Sequence, residues 1–98
     1  MRARNRKRHR EKKRKAVEKF GGKCNNCEGV FHQSVFEFHH LDPAEKDFSP
    51  ANARSWKQME DELNKCVMLC ANCHRLTHYA IEEGYGSSKE GIKHALSD

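Results

Sequence analysis

The sequence predicts a small α+β domain stabilised by zinc and led by a basic N-terminal helix. Three observations predict it. Two Cys-x-x-Cys pairs, Cys24/Cys27 and Cys70/Cys73, punctuate a chain of 98 residues. A β-forming run over 34–41 stands between segments with helical patterning. Twelve Lys and Arg crowd the first 23 residues. With hydrophobic residues at 36%, the chain supports one thin core; domains of this size bury a modest fraction of their surface and often need a staple.

No Gly or Pro interrupts Arg2 to Lys19, and Arg, Lys, Glu and Ala favour helix. Val17 and Phe20 give that segment an apolar edge, and Gly21-Gly22 supply a stop. A helix is expected over 3–20 within an arm of residues 1–22. The plain alternative is a disordered tail, because like charges at i,i+4 oppose the free helix. Cys24-Asn-Asn-Cys27-Glu-Gly29 reads as a tight turn. Ser34-Val-Phe-Glu-Phe-His-His-Leu41 reads as a strand stopped by Asp42-Pro43. Residues 42–54 read as loop. Ser55 starts a helix with Gln58 three residues on as a capping box, and Trp56, Met59 and Leu63 share one face. Cys66-Val-Met-Leu69 is a second short strand, and a helix from Ala71 closes at Gly84. The zinc-held domain thus covers 23–84, and 85–98 reads as a polar tail with at most one weak helical turn.

The net charge of +5 conceals an asymmetry. Residues 1–23 set twelve Lys/Arg against Glu11 and Glu18, a net +10, whereas 24–98 set seven against twelve acids, a net −5. A basic arm on an acidic body points to a polyanion, and nucleic acid fits best. A membrane surface fits poorly, because the arm has no large apolar face; no apolar run resembles a signal peptide or a membrane span. The expected compartment is the reducing cytoplasm, that of a bacterial host if the chain is phage-encoded, where paired cysteines hold metal more often than they form disulfides.

The cysteine pairs have the spacing that lets two sulfurs reach one ion, and two such knuckles complete a tetrahedron around a structural Zn²⁺. Cys24, Cys27, Cys70 and Cys73 are the expected ligands; Cys66 reads as a small apolar strand residue. A zinc ribbon does not need the histidines. His39-His40 end the first strand, and His74 and His78 stand at i and i+4 on the last helix, on one face. Three imidazoles from two rigid elements suit a second divalent ion with open positions. Each histidine taken singly reads as a surface or satisfied core residue; the set reads as a site.

These residues carry a resemblance. Cys24-x-x-Cys27, Phe36-Glu-Phe-His-His-Leu-Asp-Pro43, Lys65-Cys-Val-Met-Leu-Cys-Ala-Asn-Cys-His-Arg75 and His78 together resemble the HNH endonucleases, especially small phage-type ones, over residues 20–80. The resemblance implies a ββα-metal, treble-clef-like fold and metal-dependent hydrolysis of phosphodiester bonds in DNA. It implies His40 as the general base, His39 and His74 as metal ligands, and His78 as the further helix ligand of colicin-type relatives. The middle Asn of the family's pattern is replaced by Lys65; Asn72, Asn64 or a backbone carbonyl is left to orient His40, with Asn72 preferred. An imidazole-rich site favours Mn²⁺, Ni²⁺ or Zn²⁺ over hard Mg²⁺ as the catalytic divalent metal. Asp42 offers a carboxylate, or is simply the turn residue before Pro43.

Arg2, Arg4, Arg6, Lys7, Arg8 and Arg10 are expected to contact phosphates, and Arg75 to clamp the scissile one or else line a solvated helix face. Aromatics do not alternate with the basic residues, so double-stranded DNA is expected with strong salt dependence and nicking as the default outcome. Further expected partners are a second copy of the chain or a phage terminase. The rival readings are a non-catalytic zinc-binding DNA module and an accessory subunit of a larger nuclease or packaging complex.

Overall fold

The computed structural model describes residues 3–86 and 89–97. Helix α1 runs Ala3–Lys19, strand β1 Phe36–His40, helix α2 Trp56–Leu63, strand β2 Cys66–Cys70, helix α3 Ala71–Glu82 and helix α4 Lys89–Leu96. Short 3-10 turns at Gln33–Val35, Pro43–Glu45 and Pro50–Asn52 shape the intervening loops. The two strands pair antiparallel, from Phe36 opposite Cys70 to His40 opposite Cys66. The result is a small α+β fold with a two-stranded sheet.

Local chemistry explains most boundaries. Gly21 and Gly22 take positive φ, and the amides of Gly21 and Gly22 bond Glu18 and Val17 carbonyls; the double bond back onto the last turn is the glycine-closed ending of α1. Gly84 and Tyr85 close α3 in the same way onto Ile81 and Ala80. Ser55 Oγ accepts from the Gln58 amide at 3.2 Å, and Gln58 Oε1 accepts in return from the Arg54 amide at 2.8 Å. That reciprocal pair holds the start of α2. Asp42 caps the turn at Pro43 by accepting from the Ala44 amide.

The core has two parts. Phe36, Met68 and Leu69 pack with Cys24, Cys70 and Cys73, and Ala16 of α1 packs with Ala53, Met59 and Leu63. Phe20 and Phe38 join both. Phe36, Leu63 and Met68 are the large apolar side chains that are fully buried. At about 1.5–3 kcal/mol each, they stand against an ordering cost of about 1 kcal/mol or more per residue. Half of the buried residues in the first cluster are cysteines, so Cys24, Cys70 and Cys73 are themselves core, while Cys27 is exposed.

Residues 89–97 differ from the expected polar tail. Helix α4 lies against α3 with Ile92 and Ala95 buried. Gly91 admits the linker that precedes α4, since a Cβ there would meet the carbonyl oxygens of Gly86 and Tyr85 at 2.3 and 2.6 Å. The expectations for Arg2 and for the side chain of Arg4 lie outside the described residues. Among the described residues, no helix is long and apolar enough to cross a membrane.

Candidate metal centre

The first knuckle is shaped by backbone. The Cys24 amide bonds the Gly29 carbonyl and the Glu28 amide bonds the Cys24 carbonyl, which folds 24–29 on itself. The left-handed position is Glu28, at φ 61°, and not the neighbouring glycine. Gly29 serves a different need: a Cβ there would strike the Phe31 ring at 2.5 Å. The second knuckle begins where β2 passes into α3, so Cys70 stands at the N-cap position of that helix, without a side-chain capping bond, and Cys73 sits in its first turn.

These turns bring Cys24, Cys27, Cys70 and Cys73 together, with their sulfurs all within 4.8 Å of one another. Cys27 and Cys70 Sγ are 3.9 Å apart. Tetrahedral thiolates about 2.3 Å from Zn²⁺ would be separated by about 3.8 Å, so the cluster fits the ion. Amides support the sulfurs: Asn26 and Cys70 N–H donate to Cys24, Gly29 N–H to Cys27, and the Asn26 side chain to Cys73. Burial raises the Cys24 thiol, but the amides aimed at it outweigh burial and bring it down to about 7. Burial dominates at Cys73 and pushes it up to about 12. Cys66 is buried outside the cluster, donates to the Glu62 carbonyl, and is pushed up to about 11, chiefly by burial. It is a core residue, as its sequence position suggested.

The same frame assembles the histidines. Neighbouring strand residues point to opposite faces, so Glu37 and His39 face α3 while Phe38 and His40 face α1 and α2. On the α3 side, ligand nitrogens of His39, His74 and His78 lie within 4.8 Å of one another. His74 and His78 Nε2 are 3.1 Å apart, inside the about 3.0–3.4 Å expected of two nitrogens bound about 2.1 Å from one ion. Glu37 Oε1 accepts from His74 Nδ1 at 2.6 Å. That contact fixes the tautomer and leaves Nε2 for a metal, the carboxylate–histidine support common at metal sites. His39 is buried, and burial together with the nearby His74, His78 and His40 lowers its pKa and favours the neutral, ligating ring.

His40 is held from the other face. Its Nε2 meets Glu62 Oε2 at 2.7 Å, with both side chains buried. Asn72, expected to orient His40, is instead exposed on the first turn of α3. The reason is strand alternation: α3 serves the His39 face, whereas the His40 ring turns toward α2. Asn64, at the end of α2, is exposed as well. Lys65, standing where the resembled pattern has Asn, also bonds Glu62, and its carbonyl accepts from the Leu41 amide. Asp42 acts as a turn cap.

The arm is anchored along its inner half. Lys12 Nζ donates to the Ala53 carbonyl at 2.9 Å, Lys13 and Lys15 lie over the Phe38 and Trp56 rings, and Ala16 is fully buried. Trp56 is therefore half-buried against α1 rather than presented as a free platform. Arg6, Lys7, Arg8 and Arg10 on the outer turns are exposed, as is Arg75 beside His74 on α3.

Sequence reasoning missed Glu37 and Glu62. Glu37 has a local signal, since it stands two residues before His39 and so on the same strand face; Glu62 has none. No protein-family model, curated protein or solved structure matches the chain.

Proposed function

We propose that the chain is a metal-dependent HNH-type DNA endonuclease that nicks double-stranded DNA. The observation that carries the reading is the convergence of His39, His74 and His78 on one point, supported by Glu37 and adjoining His40 in the chain. A structural zinc in the cysteine cluster fits the frame that holds β1 against α3. A divalent ion on the three histidines would neutralise charge gathering on the scissile phosphate and stabilise the leaving oxygen. His40 is the general base: a neutral imidazole takes a proton from the attacking water. Arg75, exposed beside His74, would hold a phosphate oxygen, and the outer turns of α1 would hold the neighbouring backbone phosphates. Hydrolysis leaves a 5′-phosphate and a 3′-hydroxyl.

The decisive experiment is relaxation of supercoiled plasmid in Mn²⁺ by the wild type and by His40→Ala. Nicking by the first and its loss in the second, with zinc content and folding unchanged, supports the reading. Failure of the wild type with every divalent cation sinks it. One observation favours a second reading. His40 is buried against Glu62 on the face away from His39, which suits a non-catalytic, zinc-held DNA-binding module whose histidine cluster only binds metal. The same plasmid assay separates the two.

A further inference from the structure

Resting on the nuclease reading, we propose that Glu62 is the positioning residue of His40, supplying from α2 the fixed partner that the sequence pattern places elsewhere. Three hydrogen bonds define its situation. Glu62 Oε2 accepts from His40 Nε2 at 2.7 Å and from the Asp47 amide at 3.2 Å, and Oε1 accepts from Lys65 Nζ at 3.0 Å. The carboxyl is 2% exposed and His40 8% exposed. Lys65 and the Asp47 amide share the work of solvating the buried carboxylate, and the bond to the ring is the shortest of the three. What that bond decides is the state of His40.

A carboxylate only accepts hydrogen bonds. Nε2 of the neutral ring must therefore carry the proton, and Nδ1 is left as the nitrogen with a free lone pair. The bond also prevents the ring from flipping. The ring is thereby held with Nδ1 as its accepting nitrogen, as an acidic partner fixes the tautomer and orientation of a catalytic histidine elsewhere. Glu62 thus acts through His40 and touches no substrate.

The test uses the full, zinc-loaded chain and reads two quantities. Long-range ¹H–¹⁵N NMR of the imidazoles should show His40 of the wild type in the Nε2–H form, and Glu62→Ala should mix the two tautomers. In Mn²⁺-supported nicking over a range of DNA concentrations, Glu62→Ala should lower kcat about tenfold or more with KM unchanged, within the ~10²–10⁴-fold that a general base contributes. Adding Glu62→Ala to His40→Ala should cost nothing further. Glu62→Gln, whose amide oxygen still accepts, should keep the tautomer and recover part of kcat. A wild-type ring in the Nδ1–H form overturns the assignment without any variant, even if Glu62→Ala fails to fold. So does an equal loss from Glu62→Ala in the presence and absence of His40. Wild-type protein that nicks no plasmid sinks the nuclease reading instead, a result distinct from either.

Discussion

Replacing Cys73 with Ser, or stripping the metal with a strong chelator, is expected to cost most of the domain's stability. The knuckles Cys24/Cys27 and Cys70/Cys73 enclose residues 28–69, a loop of 42 residues. Treated as a cross-link in the chain-entropy picture, closing such a loop is worth on the order of 4 kcal/mol. A domain of this size has about 5–15 kcal/mol in total, and three of the six buried residues in the first core cluster are candidate ligands. The two-stranded sheet offers little resistance on its own, since an isolated strand pair is marginal in water. At about 4–8 °C per kcal/mol for a domain this small, Tm should drop by about 15 °C or more. The assay is thermal melting by circular dichroism, with released zinc measured in the same samples. A metal-free protein that melts cooperatively within a few degrees of the loaded one would refute the cross-link argument.

His74→Ala should remove one of two bound divalent ions and leave the cysteine-bound zinc and the melt intact, as read by metal analysis after dialysis. Zinc affinity should rise steeply with pH. Thiols at Cys27 and Cys73, raised above the ordinary range when metal-free, must each lose a proton on binding, so affinity should fall by about a hundredfold or more per unit drop in pH near neutrality; competition titrations at pH 6 and 8 check it. Substituting Ala for Arg6, Arg8 and Arg10 together should flatten the salt dependence of DNA affinity by a log–log slope of about 2.7 if each meets one phosphate, while leaving the melt unchanged. Glu28→Gly should stabilise the fold by about 0.5–1 kcal/mol, because a side chain at φ 61° is strained and the exposed ion pair it gives up to Lys23 contributes little; chemical denaturation measures it.

What could be read from the chain was local. The cysteine spacing, the glycines that end α1 and α3, and the Ser55–Gln58 cap depend on residues within a few positions of each other, and each stands where its chemistry predicts. Helix α4 was hidden because its buried positions, Ile92 and Ala95, are sparse and Gly91 weakens the helical signal; only the packed structure shows that Gly91 is there to admit the backbone of Tyr85 and Gly86. The left-handed position in the knuckle was also hidden, falling on Glu28 beside an obvious glycine. Glu62 lies 22 residues from His40, and nothing in either neighbourhood couples them. Their meeting depends on which sheet face α2 covers, and that is settled by the packing of Met59 and Leu63 against Ala16 and Ala53.

The anchoring of α1 changes what its charges can do. A helix of 17 residues is about 25 Å long, and its inner turns are fastened by Ala16, Phe20 and the Lys12–Ala53 bond. The outer arginines therefore ride on a strut instead of a tether. In the proposed nuclease they would meet a polyanion at a set span and bearing from the histidines, with little chain entropy lost. A duplex satisfying both ends would have few ways to lie across the protein, so on that reading the arm would impose a line of approach as well as an attraction.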